Sequence, residues 1–436
     1  MAKPVVNPSP FSRSLPALPD EVPAEGLTDE AKQAITSLKD RLQNRSADHL
    51  GYPYNFDHSA HLGPLHDLLR YSINNLGDPY DPSNYDVETR EYETAVIDTY
   101  AQLWGAAPGD YWGYVAHSGT EGNRLCVEIA SRTFPNGIVY HSDATHYSIP
   151  GAATSMRLEP RCIPTQPNGE IDYYALRAEL KKGRQEKRPA ILILNIGTTM
   201  TGAIDDVTKT IALLEELGYD LDKDVFIHLD GALSGLMVPF MRDYDEAKRP
   251  DFRHPAVASY GCSGHKFLGC PMPAGIIVVK GKFAKNVHER IEYLGSDVIP
   301  SMGSRNGHSS VFLWYQLQRK GKAGLQRDVD LCFENATFLY DCLRERGVSC
   351  FKNDFCNTVV FERPASMDFI KKYHLAVTTI GHVVVMQSVT REKLVQFADE
   401  FAALVKNCDQ EQRTCMKAET GSTAACFCTR HRSKAE

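Results

Sequence analysis

The sequence lacks the features that would assign it to a membrane, a nucleic acid or an oxidised compartment. No stretch of eighteen apolar residues occurs in the 436-residue chain, so no membrane-spanning helix is expected. No basic run stands out, and Lys plus Arg number 48 against 55 Asp plus Glu, a net charge of -7. A nucleic-acid partner is therefore not expected. The opening stretch Met1 to Pro23 is rich in Pro and Ser and lacks the apolar core of a secretory signal. Asp20, Glu21 and Glu25 argue against a transit peptide. No internal repeat is visible. Cysteine is not scarce, but its twelve copies are scattered and lie mostly among apolar residues. That distribution fits buried, reduced thiols in a cytoplasmic protein. Cys408, Cys415, Cys426, Cys428 and His431 match no closed four-ligand spacing, so no metal is predicted.

What is present is enough apolar material for a large core, 42% of the chain, and a length that suggests two or three domains. Residues 1–27 read as a disordered arm. Thr28 followed by Asp29-Glu30 reads as a helix start, with the helix running to about Arg45. Helical spacing recurs over His61 to Asn75 and Glu88 to Trp104, giving a helical segment over 28–110. From Tyr111, β-branched runs alternate with helical patterns, which favours a mostly parallel sheet covered by helices. Strands are predicted at 137–140, 190–195, 225–229, 257–261 and 275–280, and helices at 119–132, 173–182 and 207–217. This large unit is taken to span 111–305. A smaller α+β unit over 306–407 opens with a helix from Ser310 toward Arg346. It continues with strands near 357–361 and 381–386 and a helix at 391–406. Residues 408–436 read as a disordered tail.

The chemistry concentrates at predicted strand ends, where α/β sheets bind ligands. Lys266, in Ser263-Gly264-His265-Lys266, follows an apolar strand. A buried lysine loses its proton readily and becomes a nucleophile. Asp230 ends another strand, in His228-Leu229-Asp230-Gly231-Ala232, and a buried acid needs a partner. Together the two residues supply what a pyridoxal phosphate enzyme needs: an amine for the cofactor aldehyde and a carboxylate for the pyridine nitrogen. Ala232 is placed to pack against the ring face, and His146 follows a strand where an imidazole could stack on a planar ring. Ser118-Gly119-Thr120 opens a helix, where free N–H groups and hydroxyls suit an anion. Asn195 to Thr199, with Asn195 and Thr198 as candidate contacts, forms a second strand-end loop suited to the ring substituents. Tyr293 precedes a loop ending in Gly303-Ser304-Arg305-Asn306-Gly307-His308, whose small and polar residues fit a mobile lid.

Taken as a set, these motifs resemble the group II pyridoxal phosphate-dependent amino-acid decarboxylases of fold type I. The likeness is to the serine/histidine decarboxylase branch, covers about residues 50 to 405, and includes Gly51-Tyr52-Pro53 and His146-Tyr147-Ser148. Gly264 to Pro273, Asp230 to Ala232 and Val359 to Pro364 resemble the plant serine decarboxylases more than the bacterial histidine decarboxylases. Departures are His117 where Asn is usual, Ile149-Pro150-Gly151 where a lysine normally follows, and Thr201 where Lys or Arg is common.

The resemblance implies an α/β fold: a mostly parallel seven-stranded sheet with helices on both faces and a smaller C-terminal α+β domain. It implies a homodimer with a shared active site. Lys266 then forms the Schiff base, Asp230 pairs with the pyridine nitrogen, His146 stacks on the ring and Ser118, Gly119 and Thr120 hold the phosphate. Ser263 and His265 lie beside the lysine, and Gly303 and Ser304 contribute to the cofactor site. Tyr293, supplied by the other subunit, protonates the α-carbon after carbon dioxide leaves. Tyr52, Asn55, Phe56 and His58 line the substrate pocket. The implied reaction is decarboxylation of a free L-amino acid to its amine. Serine is expected first, then histidine, then alanine or a larger apolar amino acid. A pyridoxal phosphate-dependent aldehyde synthase and a non-catalytic fold relative are the rival classes. The presence of Tyr293 rather than Phe favours the simple decarboxylase over the first rival, and retained Lys266, Asp230 and His146 over the second.

Overall fold

Unbroken apolar runs become strands when both faces of a sheet are covered, because no solvent side then calls for polar residues. The computed structural model describes residues 15–16, 19–298, 302–408, 413–421 and 424–428. Seven strands form its main sheet: β1 (Tyr111–Ala116), β2 (Ile138–Ser142), β3 (Glu159–Ile163), β4 (Ala190–Asn195), β5 (Val225–Asp230), β6 (Val257–Ser263) and β7 (Gly275–Lys280). Their spatial order is β1-β7-β6-β5-β4-β2-β3. The pairs β2–β3, β2–β4, β4–β5 and β5–β6 are parallel, and β7 runs antiparallel to both β6 and β1.

The expected sheet is thus present. The two strands not drawn from sequence, β1 and β3, are its two edges. β3 reads Glu-Pro-Arg-Cys-Ile and is largely solvent-facing, and Pro160 is tolerated because an edge strand has a side with no ladder to donate to.

Among the described residues, the α-helices of eight or more residues are α1 (Asp29–Ala47), α2 (Arg90–Leu103), α3 (Gly119–Thr133), α4 (Ser148–Ser155), α5 (Tyr173–Gln185), α6 (Val207–Glu216), α7 (Gly307–Glu345) and α8 (Arg391–Lys406). Thr28 caps α1, its hydroxyl accepting from the Ala31 amide at 3.2 Å. Alternate residues of each central strand feed opposite cores. Ile191, Ile193 and Phe226 pack with Leu125 and Ile129 of α3 and Ile149 of α4. Leu192, Leu194 and Ile227 face the other core, with Val96 and Tyr100 of α2, Leu180 of α5 and Leu313 of α7. Gly321, at φ 57° and ψ 178°, breaks α7 into two helical runs.

A second sheet is antiparallel, in the order β8 (Cys350–Phe351), β9 (Thr358–Glu362), β11 (Ile380–Val384), β10 (Ala376–Val377). α8 packs on it through Phe397 and Phe401 against Phe361.

Two expectations are corrected. The helix predicted over 61–75 is replaced by short 3-10 helices at Asp57–His61 and Gly63–Arg70 and a strand at Asn74–Leu76. That strand pairs antiparallel with Ser304–Asn306, a partner more than 200 residues away that local spacing does not reveal. The tail expected to be disordered over 408–436 is packed where it is described. Met416, Cys426 and Cys428 are buried against Val360, and the Arg413 guanidinium pairs with Glu362. Of the arm expected over 1–27, residues 1–14 and 17–18 lie outside the described residues, as does His431.

Candidate active site

The carboxyl ends of the strands converge on one cavity of about 300 Å³. Twelve of the predicted site residues line it: Tyr52, Ser118, Gly119, Thr120, His146, Asn195, Thr198, Asp230, Ala232, Ser263, His265 and Lys266. Apart from Tyr52, which comes from the loop before the first 3-10 helix, these residues lie at or just beyond strand ends, because parallel strands deliver their next residues to the same sheet edge.

Lys266 lies in a π-helical turn (His265–Gly269) directly after β6. Its stem opens on the cavity while the surrounding protein desolvates the amine, and burial lowers its pKa; Asp230 and the Cys262 thiol oppose that shift. Its Nζ lies 5.8 Å from the centre of the Tyr52 ring. His265 Nδ1 is 2.9 Å from the Ala274 carbonyl. Assigning the ring proton to Nδ1 leaves Nε2 to accept from the Tyr52 hydroxyl, 3.4 Å away. Burial also lowers the pKa of His265.

Asp230 is buried at the end of β5 and held at both oxygens. Asn123 Nδ2 donates to one at 2.7 Å and the Ala232 amide to the other at 3.1 Å. Asn123 in turn accepts from His228 Nε2 at 3.1 Å, and Ser259 Oγ donates to His228 Nδ1 at 3.0 Å. Complete burial pushes His228 down to about 4, so it is neutral near pH 7. Asn123 also reaches Ser148 Oγ at 3.3 Å, which lies 2.8 Å from His146 Nδ1. Burial, with help from Lys266, lowers the His146 pKa against the pull of Asp230.

Asn123 was not among the residues the sequence singled out. Structurally it is the hub that ties Asp230, His228 and Ser148 together.

The turn before α3 presents the first amides of a helix, which have no intrahelical acceptor. Gly119 is required by close packing: a Cβ there would lie 2.6 Å from Ser263 Oγ. His117, one of the departures noted above, is paired with Glu121 at 2.9 Å rather than aimed into the cavity. Asn195 is positioned by Asp205, whose Oδ2 accepts from both its backbone and side-chain N–H groups at 2.7 and 3.0 Å. Thr198 Oγ1 lies 2.7 Å from Thr201 Oγ1, so Thr201, the third departure, braces this loop.

Several predicted residues are not brought to this cavity. Asn55 is buried beneath it, donating to the Phe267 carbonyl at 2.8 Å, and so anchors the turn that carries Lys266. His58 Nδ1 sits 2.7 Å from the Asn55 carbonyl, and Phe56 lines a neighbouring cavity with His49 and Tyr54. Gly303, Ser304 and Tyr293 are exposed, Tyr293 at 74%. The rest of the Gly-Ser-Arg-Asn-Gly-His motif is structural. Arg305 forms a buried bidentate pair with Glu93 at 2.8 and 3.0 Å, and Asn306 caps α7. Conversely, His382, Ala376 and Val384 of the small sheet line the cavity and were not anticipated.

Outside this site, the thiols of Cys415, Cys426 and Cys428 lie within 4.8 Å of one another. The scattered spacing that argued against a metal set therefore hid three potential ligand atoms, brought together by the folded tail. A closed tetrahedral site needs a fourth.

Comparison with known proteins agrees with this geometry. The pyridoxal-dependent decarboxylase conserved domain matches residues 129–363. Serine decarboxylase 1 of Oryza sativa subsp. japonica is 40% identical over 433 residues, 98% of this chain and 87% of the relative. Histidine decarboxylase of Solanum lycopersicum is 42% identical over 372 residues, covering 84% and 87%. Among solved structures, L-methionine decarboxylase from Streptomyces sp. 590 superposes with a TM-score of 0.79 at 26% identity, covering 89% of this chain and 98% of that one.

Proposed function

This chain belongs to the pyridoxal-dependent decarboxylase family, and we propose that its substrate is L-serine and its product ethanolamine. It is a pyridoxal phosphate-dependent amino-acid decarboxylase of fold type I. The cavity fits that cofactor: a desolvated amine, a carboxylate held at both oxygens and a helix start kept clear of side chain at Gly119 all face one space. When bound, the cofactor supplies an electron sink for the carbanion left when carbon dioxide departs.

The protein's own groups then divide the work. Lys266, whose amine is made easier to deprotonate by burial, would hold the cofactor aldehyde and later release the amine product. Asp230, oriented by Asn123, would keep the proton on the ring nitrogen. Ser118, Gly119 and Thr120 would hold the phosphate, with Ser263 behind them. His146 would lie against the ring as a neutral imidazole, with Ala232 on the cofactor as well, and Asn195 and Thr198 would contact its substituents. His265 and Tyr52 would border the reacting carbon, linked by their 3.4 Å contact. The observation that carries the reading is the convergence of Lys266 and Asp230, from adjacent parallel strands, on one cavity.

Serine is supported by the 40% and 38% identity to two rice serine decarboxylases. Histidine is the second reading, supported by the 42% identity to the tomato enzyme. We further propose a homodimer in which Tyr293, Gly303 and Ser304, exposed and outside their own cavity, serve that of the second copy. The burial of most of the cysteines supports a cytoplasmic setting, and no helix among the described residues is long and apolar enough to cross a membrane.

Amine production from each of the twenty amino acids, with Lys266→Ala alongside, tests the substrate. Ethanolamine from the wild type alone is expected; histamine instead would replace serine by histidine.

A further inference from the structure

The small sheet brings to the cavity a polar group for which the protein provides no partner. β11 presents His382 and Val384 to the cavity, and Ala376 of β10 lies opposite His382. The ring is only 2% exposed. Its Nδ1 is sealed from solvent and has no hydrogen-bond partner among the described residues. Of the residues lining the cavity, none other described has a sealed polar side-chain atom without a partner. Its cross-strand neighbours are Val360 and Ala376, whose side chains carry no hydrogen-bonding group. Burial alone pushes the ring down to about 4, leaving a neutral imidazole with one donor and one acceptor nitrogen near pH 7. An unpartnered imidazole in such a place destabilises the empty protein, where leucine would not.

We propose that His382 is a specificity-determining residue that hydrogen-bonds the hydroxyl of the substrate's side chain. The inference rests on the serine reading above. A hydroxyl both donates and accepts, so it satisfies a neutral imidazole in either tautomer. A methyl side chain leaves the ring unpaired, which is how a polar pocket rejects an apolar analogue. The amino and carboxyl groups, common to every amino acid, cannot supply that distinction. The ring also comes from a different sheet than Lys266, Asp230 and His146, so it can be changed without disturbing the strand ends that carry them.

The test uses the holoenzyme with His382→Leu and His382→Gln. Affinities for L-serine methyl ester and L-alanine methyl ester are read from the cofactor's absorbance, kcat/KM is measured on both free amino acids, and unfolding is followed on the cofactor-free proteins. His382→Leu should be at least as stable as wild type. It should lose roughly 10- to 100-fold in serine-ester affinity and serine kcat/KM while the alanine values change by less than about threefold. His382→Gln, which keeps a donor and an acceptor, should recover part of the serine loss. Equal losses on serine and alanine, or no serine loss, overturn the inference while the serine reading stands. A wild type that ignores serine but decarboxylates another amino acid overturns the serine reading and this inference with it.

Discussion

Replacing Asn123 by leucine should damage the protein at three places at once. The amide donates to Asp230 at 2.7 Å, accepts from His228 at 3.1 Å and reaches Ser148 at 3.3 Å. Leucine fills similar volume and offers none of these. His228 is fully buried and its Nε2–H loses its acceptor; Asp230 keeps only the Ala232 amide on its other oxygen. A buried polar group left unpaired costs about 1–3 kcal/mol. Two such groups give about 2–6 kcal/mol, with the Ser148 contact adding little because that hydroxyl keeps His146. Urea denaturation of the cofactor-free protein reads the stability, and equilibrium dialysis reads cofactor affinity, which should fall because Asp230 loses its orientation. Asn123→Asp separates the two effects. It keeps the acceptor for His228 but sets a second carboxylate against Asp230, and two such groups cannot both ionise freely. That variant should hold more of its stability while binding cofactor less well as pH rises. Full stability and unchanged cofactor affinity in Asn123→Leu would refute the hub.

Three further outcomes are expected. Arg305→Met leaves Glu93 buried without its cation, so unfolding free energy should drop by about 3–5 kcal/mol; a loss under about 1 kcal/mol would show that the pair contributes little. His228 and His382 are both pushed from 6.5 down to about 4 by burial. Between those pH values the unfolded chain binds more protons than the folded one, so stability rises with pH there and is lost on acidification, by about 3 kcal/mol per group. His382→Gln should flatten the denaturation-versus-pH slope between pH 6.5 and 4, and an unchanged slope contradicts the assignment. Finally, Lys266→Ala and Tyr293→Phe preparations, each failing to form amine, should regain about a quarter of wild-type amine production after subunit exchange, since half the dimers then carry one intact site. No recovery, with exchange verified by mass spectrometry, rules out the shared site.

Much of the large sheet was legible because its inner strands are covered on both faces and read as apolar runs. The edges β1 and β3 were not: Glu-Pro-Arg-Cys carries no such run, and in β1 Gly113 interrupts the aromatic residues of Tyr-Trp-Gly-Tyr-Val-Ala. Lys266, Asp230, His146 and the Ser118 turn were legible for a related reason: each directly follows a strand, and parallel strands end together. The Cys-bearing tail was misread because its composition is polar, yet Arg413 finds Glu362 and three thiols meet only after the chain has returned to β9. Asn55 and His58, placed in the pocket by likeness, instead serve the backbone beneath Lys266.

The sequence by itself determined which residues could do chemistry and at which strand ends they would stand, because element type and periodicity are written within a dozen neighbouring residues. Tertiary structure alone decided who their partners are. Asn123 meets His228 across 105 positions and Asp230 across 107, and His382 joins the cavity from a separate sheet. Whether a buried polar side chain is satisfied, and hence whether it is structural or left for a ligand, depends on where distant chain returns, which no local pattern encodes.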